Sequence, residues 1–512
     1  MDAEYFVEAR GISKRFFAVQ ALQDIHVAVK SGDIHALVGE NGAGKSTLGK
    51  IISGVIRPDS GQLIVEGRVV HYAAPRDALH DGITTITQEI SLLSKQTVLD
   101  NVLLGQEYSR AGVLNRNRMI QRFNEVRELT GFDLAPDVKV NTLRMADQKK
   151  VEVMQAVARN ARLIIMDEPT AMLSDEDTAT FLEIVRQLKA MGRTIIYVSH
   201  FLKEVLNLAD MVTIMRNGEI VRTSPTVDET PDTLITAMLG KSMAQMYPPK
   251  QFPPDDAPIA LSVTGLRSSV FRGIDLEVRA GEIAGLAGLV GSGRSRLART
   301  LFGAEEITGG KIFVSGEQVH IHSTQDAIKA GIYMLPESRK EQGLLLRQTV
   351  RHNITLPHLR DITSLFGIIR GQRELSRIDE LVAALNIQPP VPSNKVNTLS
   401  GGNQQKTLFG KWLFDQPKLF IVDEPTRGID VGAKQAIYEL IVELAKQGMG
   451  ILMISSEIEE ILGLAHRVLV MRLGEIVAEL PGDETLTEDK VMRAAFGTHE
   501  AQDVPETEAM ER

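Results

Sequence analysis

The chain has 512 residues, an apolar fraction of 43%, a charged fraction of 24%, a net charge of −9 and no cysteine. Such a length predicts several globular domains. The lack of cysteine excludes disulfide frameworks and thiolate metal sites and fits a reducing compartment, and the acidic balance gives no support for a general nucleic-acid binder. Residues 1–10 contain acids and no long apolar run, which argues against a signal peptide. No stretch is apolar enough for long enough to span a bilayer.

In chain order, Phe16 is the first candidate, an aromatic placed to stack on a base. The apolar run His35-Ala36-Leu37-Val38 reads as a buried parallel strand. It leads into Gly39-Glu40-Asn41-Gly42-Ala43-Gly44-Lys45-Ser46-Thr47, a phosphate-binding loop at the start of a helix. Gln88 follows the run Ile83 to Thr87. Leu163 to Met166 forms an apolar strand that ends in Asp167-Glu168-Pro169-Thr170. Thr178 to Ala190 has helical periodicity, Thr194 to Val198 reads as another buried strand, and His200 follows it. Strands alternating with helices imply a largely parallel α/β sheet. The first domain is expected to span 5–240, followed by a proline-rich, extended linker over 241–258.

A second domain, expected over 259–497, repeats the pattern. Its loop is Gly288-Leu289-Val290-Gly291-Ser292-Gly293-Arg294-Ser295, and its acidic strand end is Asp423-Glu424-Pro425-Thr426. The loops are offset by 249 residues, as are Gln88 and Glu337, whereas Asp167 and Asp423 are offset by 256, as are His200 and Ser456. The register therefore slips by seven between positions 88 and 143, which predicts a variable helical subdomain inserted into each fixed α/β frame. Residues 498–512 are acidic and polar and are expected to be disordered.

Each motif has a chemical reading. Glycines at 39, 42 and 44 let backbone N–H groups close around phosphate oxygens, and the helix that follows aims its positive end at the same anion. Lys45 supplies a charge for the β- and γ-phosphates, and Ser46 a hydroxyl for Mg²⁺. Asp167 is a second ligand for that ion, and Glu168 is the general base for the attacking water. Gln88 is a sensor of metal and water, and His200 holds the γ-phosphate. An Asp-Glu pair alone says little; four preceding apolar residues and a following proline make this one specific.

The segment Leu399-Ser400-Gly401-Gly402-Asn403-Gln404-Gln405-Lys406 is absent from small-molecule kinases and GTPases. The loop, this segment and the acidic strand, in this order, resemble the ATP-binding subunits of ABC transporters. Gly291-Ser292-Gly293-Arg294, Pro336-Glu337-Ser338-Arg339-Lys340 and Asp423 to Asp430 narrow the resemblance to the fused ATPases of ribose- and galactose-type sugar importers. The resemblance implies two tandem ABC ATPase domains that pack head to tail, with ATP and Mg²⁺ as cofactors. It also implies two permease subunits in the membrane, an external solute-binding protein, and a peripheral position on the cytoplasmic face of the inner membrane.

Under that pairing, site one takes Phe16, Gly39 to Thr47, Gln88, Asp167, Glu168 and His200 from the first domain, and Ser400, Gly401, Gly402 and Asp430 from the second. Site two takes Gly288, Gly291, Gly293, Arg294, Ser295, Glu337, Asp423, Glu424 and Ser456. Facing these are Arg144-Met145-Ala146 and Ser174. Every departure from the family pattern falls on site two, where the residues at 144–146 are also expected to hold the backbone farther from phosphate. One hydrolytic site and one degenerate, nucleotide-holding site is the expectation. A soluble twin-domain ATPase acting on ribosomes is the alternative; it calls for a long charged linker and two intact signatures.

Overall fold

The computed structural model describes residues 4–17, 19–87, 90–110, 113–171, 173, 175–240, 245–289, 291–363, 369 and 371–497. Gln88, Ser174 and the tail 498–512 lie outside these residues. The chain divides into two compact units, Met1–Ala244 and Gln245–Arg512.

In the first unit a six-stranded sheet has Leu163–Asp167 between Ile83–Ile86 and Thr194–Val198. Ile34–Gly39 and Met211–Arg216 continue it in parallel, and Glu219–Pro225 closes it as an antiparallel edge. The inner strands are buried along their whole length, which is why they read as unbroken apolar runs. In the second unit, the strands Ile332–Leu335, Leu419–Asp423, Gly450–Ile454, Ile283–Ala287, Arg467–Arg472 and Glu475–Pro481 follow in the same spatial order.

Each unit also carries a four-stranded antiparallel sheet, which the reading of the sequence did not anticipate. In the first unit it is built from Tyr5–Phe16, Val19–Lys30, Ser60–Val65 and Arg68–Val70. Its inward residues, among them Ile12, Leu22 and Ile25, share one core with Leu37, Leu48 and Ile165 of the parallel layer. Polar residues interleave with these along the strands, as expected for a sheet with one wet face.

The first helix of each inserted pair lies where the register slips, and the second directly follows that stretch. Arg116–Thr130 and Met145–Ala158 occupy the first unit, and Gly371–Ala384 and Gly401–Trp412 the second. Matching bridges, Thr97 with Lys139 and Thr349 with Lys395, are offset by 252 and 256 residues. Three of the seven extra residues therefore precede Thr349, in the stretch that holds the wide helical turn Arg339–Gly343. The other four lie inside the helical subdomain.

The proline-rich stretch does not run free. Tyr247 stacks on Tyr438 at 5.1 Å, Lys250 Nζ donates to the carbonyl of Gly482 at 2.7 Å, and Phe252 packs on His466. From Gln245 onward it is thus built onto the second unit, because its aromatic residues find apolar partners there.

His35, within Ile34–Gly39, is 1% exposed and its Nε2 lies 2.7 Å from Thr213 Oγ1. Burial lowers its pKa from 6.5 to about 4. A depressed base stabilises the fold above its unfolded pKa and loses that stability as pH falls. Acidification from pH 6.5 to 4 is therefore expected to cost the first unit about 3 kcal/mol through this one residue. Denaturant titrations at several pH values check it: His35→Asn, with no charge to gain, should lose correspondingly less over that window.

Candidate functional site

The first loop leaves the sheet at Gly39 and enters the helix Lys45–Ile52. Gly44 has φ of 100°, and a Cβ there would lie 2.6 Å from the carbonyl oxygen of Ala21; one on Gly39 would collide with the carbonyl oxygen of Met215. Glycine at both positions is therefore a steric need. The loop is a cradle of backbone N–H groups at a helix start, the geometry that accepts phosphate oxygens. Lys45 is buried, and its Nζ curls back to donate to the carbonyls of Gly39 at 2.8 Å and Glu40 at 2.9 Å. Phe16 pairs with Val19 at the end of the hairpin whose Ala21 abuts Gly44. The Phe16 ring is 40% exposed, with Lys14 Nζ 5.7 Å from its centre. Its neighbour Phe17 is fully exposed and left-handed, at φ of 51°, a second aromatic that the motif did not single out.

The strand Leu163–Asp167 brings the acids to this loop. Ser46 Oγ donates to Asp167 Oδ1 at 3.0 Å. A hydroxyl and a carboxylate so placed fit a Mg²⁺ ion that takes its remaining ligands from phosphate and water. Glu168 turns the chain at φ of 47°, and its Oε1 lies 3.0 Å from His200 Nδ1. Burial pushes Asp167 upward. For Glu168 burial also acts upward, but the His200 hydrogen bond and the charge of Lys45 outweigh it and leave the carboxyl below its ordinary value. Glu168 is thus an ionised carboxylate at a phosphate cradle, able to accept a proton.

The second unit keeps the frame and changes the groups. Gly288, Gly291 and Gly293 have φ of 151°, 82° and 106°, close to the 156°, 86° and 100° of Gly39, Gly42 and Gly44. Ser295 Oγ donates to Asp423 Oδ1 at 3.2 Å. Arg294 does not curl back as Lys45 does; its Nη1 crosses to the carbonyl of Ser455 at 2.7 Å. Glu424 has Ser456 Oγ at 3.1 Å in place of a histidine. Burial lifts Asp423 to about 6 and Glu424 to about 7. Glu337, at the glutamine position, forms an ion pair with Arg427.

The signature segments differ in side chains rather than backbone. Ser400 precedes the helix Gly401–Trp412 with φ, ψ of −62°, 160°, and Arg144 precedes Met145–Ala158 with −65°, 157°. Both helices start alike, and what changes is the side chain at the start. Sequence reasoning also missed what supports the intact segment. Arg339 donates to the carbonyls of Arg427 at 2.6 Å and Gly428 at 2.9 Å, and a Cβ on Gly401 would meet its Nη2 at 3.1 Å. Gly402 packs too closely on Ala433 to admit a Cβ without a shift. Asp430 Oδ1 caps the helix Val431–Lys446 by accepting from the backbone N–H of Ala433 at 2.9 Å.

The ABC transporter family model matches residues 22–171 and 271–427, covering both loops and both acidic strand ends. The chain is 42% identical over 497 residues to an Agrobacterium fabrum protein provisionally named a ribose/galactose/methyl galactoside import ATP-binding protein, covering 97% of this chain and 98% of that one. It is 42% identical to a ribose import ATP-binding protein of Streptomyces avermitilis, over 98% of this chain and 95% of the relative. For one of Escherichia coli O157:H7 the identity is 40%, over 98% and 99%. Among solved structures, an archaeal ribosome recycling factor aligns over 95% of this chain and 92% of its own with a TM-score of 0.55, at 18% identity, a likeness of fold alone. With both cassettes matched and near-full-length relatives at about 40% identity, the chain belongs to the ABC transporter family and is an ATPase of that family.

Proposed function

We propose that this chain is the ATP-hydrolysing subunit of an importer for ribose, galactose or a similar solute, with one working and one altered nucleotide site. The observation that carries the asymmetry is the pair Glu168–His200 beside Lys45, against Glu424–Ser456 beside Arg294. The sugar reading rests on the relatives, which are named for ribose and galactose import.

In the working site, Lys45 and the backbone N–H groups of residues 42–47 take the β- and γ-phosphates of ATP. Ser46 and Asp167 would hold Mg²⁺, which supplies positive charge at the phosphates when bound. Glu168 takes a proton from water as its oxygen bonds to the γ-phosphorus and the bond to ADP breaks. His200 polarises or holds the γ-phosphate, and its Nδ1 keeps Glu168 in place for that transfer. Gln88 completes the metal and water contacts. Phe16 stacks on the adenine, and Ser400, Gly401, Gly402 and Asp430 of the second unit close the site head to tail. The altered site, with Arg294 for lysine and Arg144 for the signature serine, holds nucleotide and keeps the pair together. Arginine's forked donor is not equivalent to lysine at a phosphate.

Transport needs a membrane path, and among the described residues no helix is long and apolar enough to cross a membrane. We assign the path to a pair of separate permease subunits, fed by an external binding protein, with this chain docked at the cytoplasmic face of the inner membrane. Closure of the two domains on ATP then couples to the permease as one shared free energy. Cell fractionation tests this. The chain expressed alone should stay in the supernatant and move to the membrane fraction only when its permease is co-expressed. Tight membrane association of the chain by itself, or ATP-dependent ribosome binding, would overturn the importer reading.

A further inference from the structure

Glu168 sits in a left-handed turn, a backbone state that a non-glycine residue keeps only where its surroundings hold it. What holds it lies one residue past Pro169. Thr170 Oγ1, buried, donates to Glu204 Oε2 at 2.9 Å, and Tyr197 OH donates to the same oxygen at 2.6 Å. The fully buried Ser199, directly before His200, accepts from the N–H of Phe201 at 3.0 Å. One carboxylate on the helix Leu202–Leu208 thus ties the turn that carries Glu168 to the strand Thr194–Val198, which leads into His200.

The second unit contains a similar fastening, to which Lys434 adds its Nζ at 3.5 Å from the carboxylate of Glu460. Glu460, offset by 256, accepts from Thr426, and from Ser455 at 2.8 Å. Its tyrosine donor is Tyr438, at 2.7 Å, and it comes from the helix Val431–Lys446, whereas Tyr197 comes from a strand. Two different elements deliver a phenol to the same carboxylate, so the hydroxyl-filled carboxylate is what the frame requires, and the route by which the phenol arrives is free. A carboxylate so surrounded is held in place, since each withheld donor leaves an unmatched charge.

We propose that Glu204 is a positioning residue for ATP hydrolysis, fastening the Glu168 turn to the strand that leads into His200, so that the 3.0 Å contact of Glu168 with His200 is set before ATP arrives. The proposal rests on the reading that Glu168 and His200 form the hydrolytic pair. The test uses the purified full chain and a fluorescent ATP analogue. Glu204→Leu, which keeps the bulk and removes every acceptor, should lower kcat at least about 30-fold while the analogue's Kd stays within about threefold. Glu204→Gln, which still accepts from the hydroxyls, should recover most of the activity. Thr170→Val removes a single donor and should lower kcat in the same direction, a milder probe should the leucine variant fold poorly. Glu460→Leu makes the same packing change in the second unit and should lower the melting temperature comparably with little change in kcat. Unchanged kcat in Glu204→Leu and Thr170→Val, or a Kd that rises in step with the lost rate, overturns the proposal. Should Glu460→Leu lose rate as heavily while Glu204→Leu keeps its split between kcat and Kd, the positioning role stands. What then falls is the one-working-site reading.

Discussion

Replacing Glu168 by glutamine is expected to lower ATP turnover by about 10²–10⁴-fold, the usual contribution of a positioned general base. Nucleotide binding should survive, because the glycine cradle, Lys45, and the Ser46–Asp167 pair are untouched. The amide keeps the shape and a hydrogen bond to His200 but cannot take the proton from water. Glu424→Gln should cost far less, since its partner is Ser456 and the cation of its loop, Arg294, is turned to the Ser455 carbonyl. Steady-state ATPase assays on the two variants decide it. Equal losses would mean that both sites turn over and that the substitutions in the second unit are tolerated rather than disabling.

Ser400→Arg is the second large effect. It places in the intact signature the residue that stands at Arg144 in the altered one. Ser400 is exposed, and its Oγ accepts from Asn403 Nδ2 at 2.9 Å at the helix start, so the unit should fold with arginine there. A loss of activity is then a loss at the phosphate rather than of structure. Removing one well-aimed donor to a transition state costs about 10²–10³ in rate, and a bulky cation in its place should cost at least as much. The reverse change, Arg144→Ser, should leave activity essentially intact, because under the proposed pairing it faces the site that has Arg294 for lysine and Ser456 for histidine. Melting curves alongside ATPase rates separate the cases. A fully active Ser400→Arg would remove the head-to-tail assignment of Ser400 to the site of Lys45 and Glu168.

Much of the catalytic frame was legible in the chain because its motifs carry local mechanisms. Glycines at 39, 42 and 44 announce backbone dihedrals and close approach, and four apolar residues before Asp167 announce a buried strand with acids at its end. The duplicated spacing located the inserted subdomains, and the substitutions at 144, 294, 337 and 456 were visible one residue at a time. Less was legible where the partner lies far along the chain. The antiparallel sheets went unread because their strands are long and bulged, with apolar positions that change phase, as between Ala9 and Ile12.

Hydrogen-bond partners were decided only by the fold. Nothing near Thr170 in sequence points to Glu204, and nothing in the repeat says that the phenol for Glu460 arrives from a helix when that for Glu204 arrives from a strand. Likewise, lysine and arginine at the loop differ by one letter, but only packing sends Lys45 back to Gly39 and Arg294 across to Ser455. A dihedral preference or a period of burial is a property of a few neighbouring residues, so the sequence states it outright. Which buried donor meets which acceptor depends on distances between elements, and these exist only once the layers have packed and water has left.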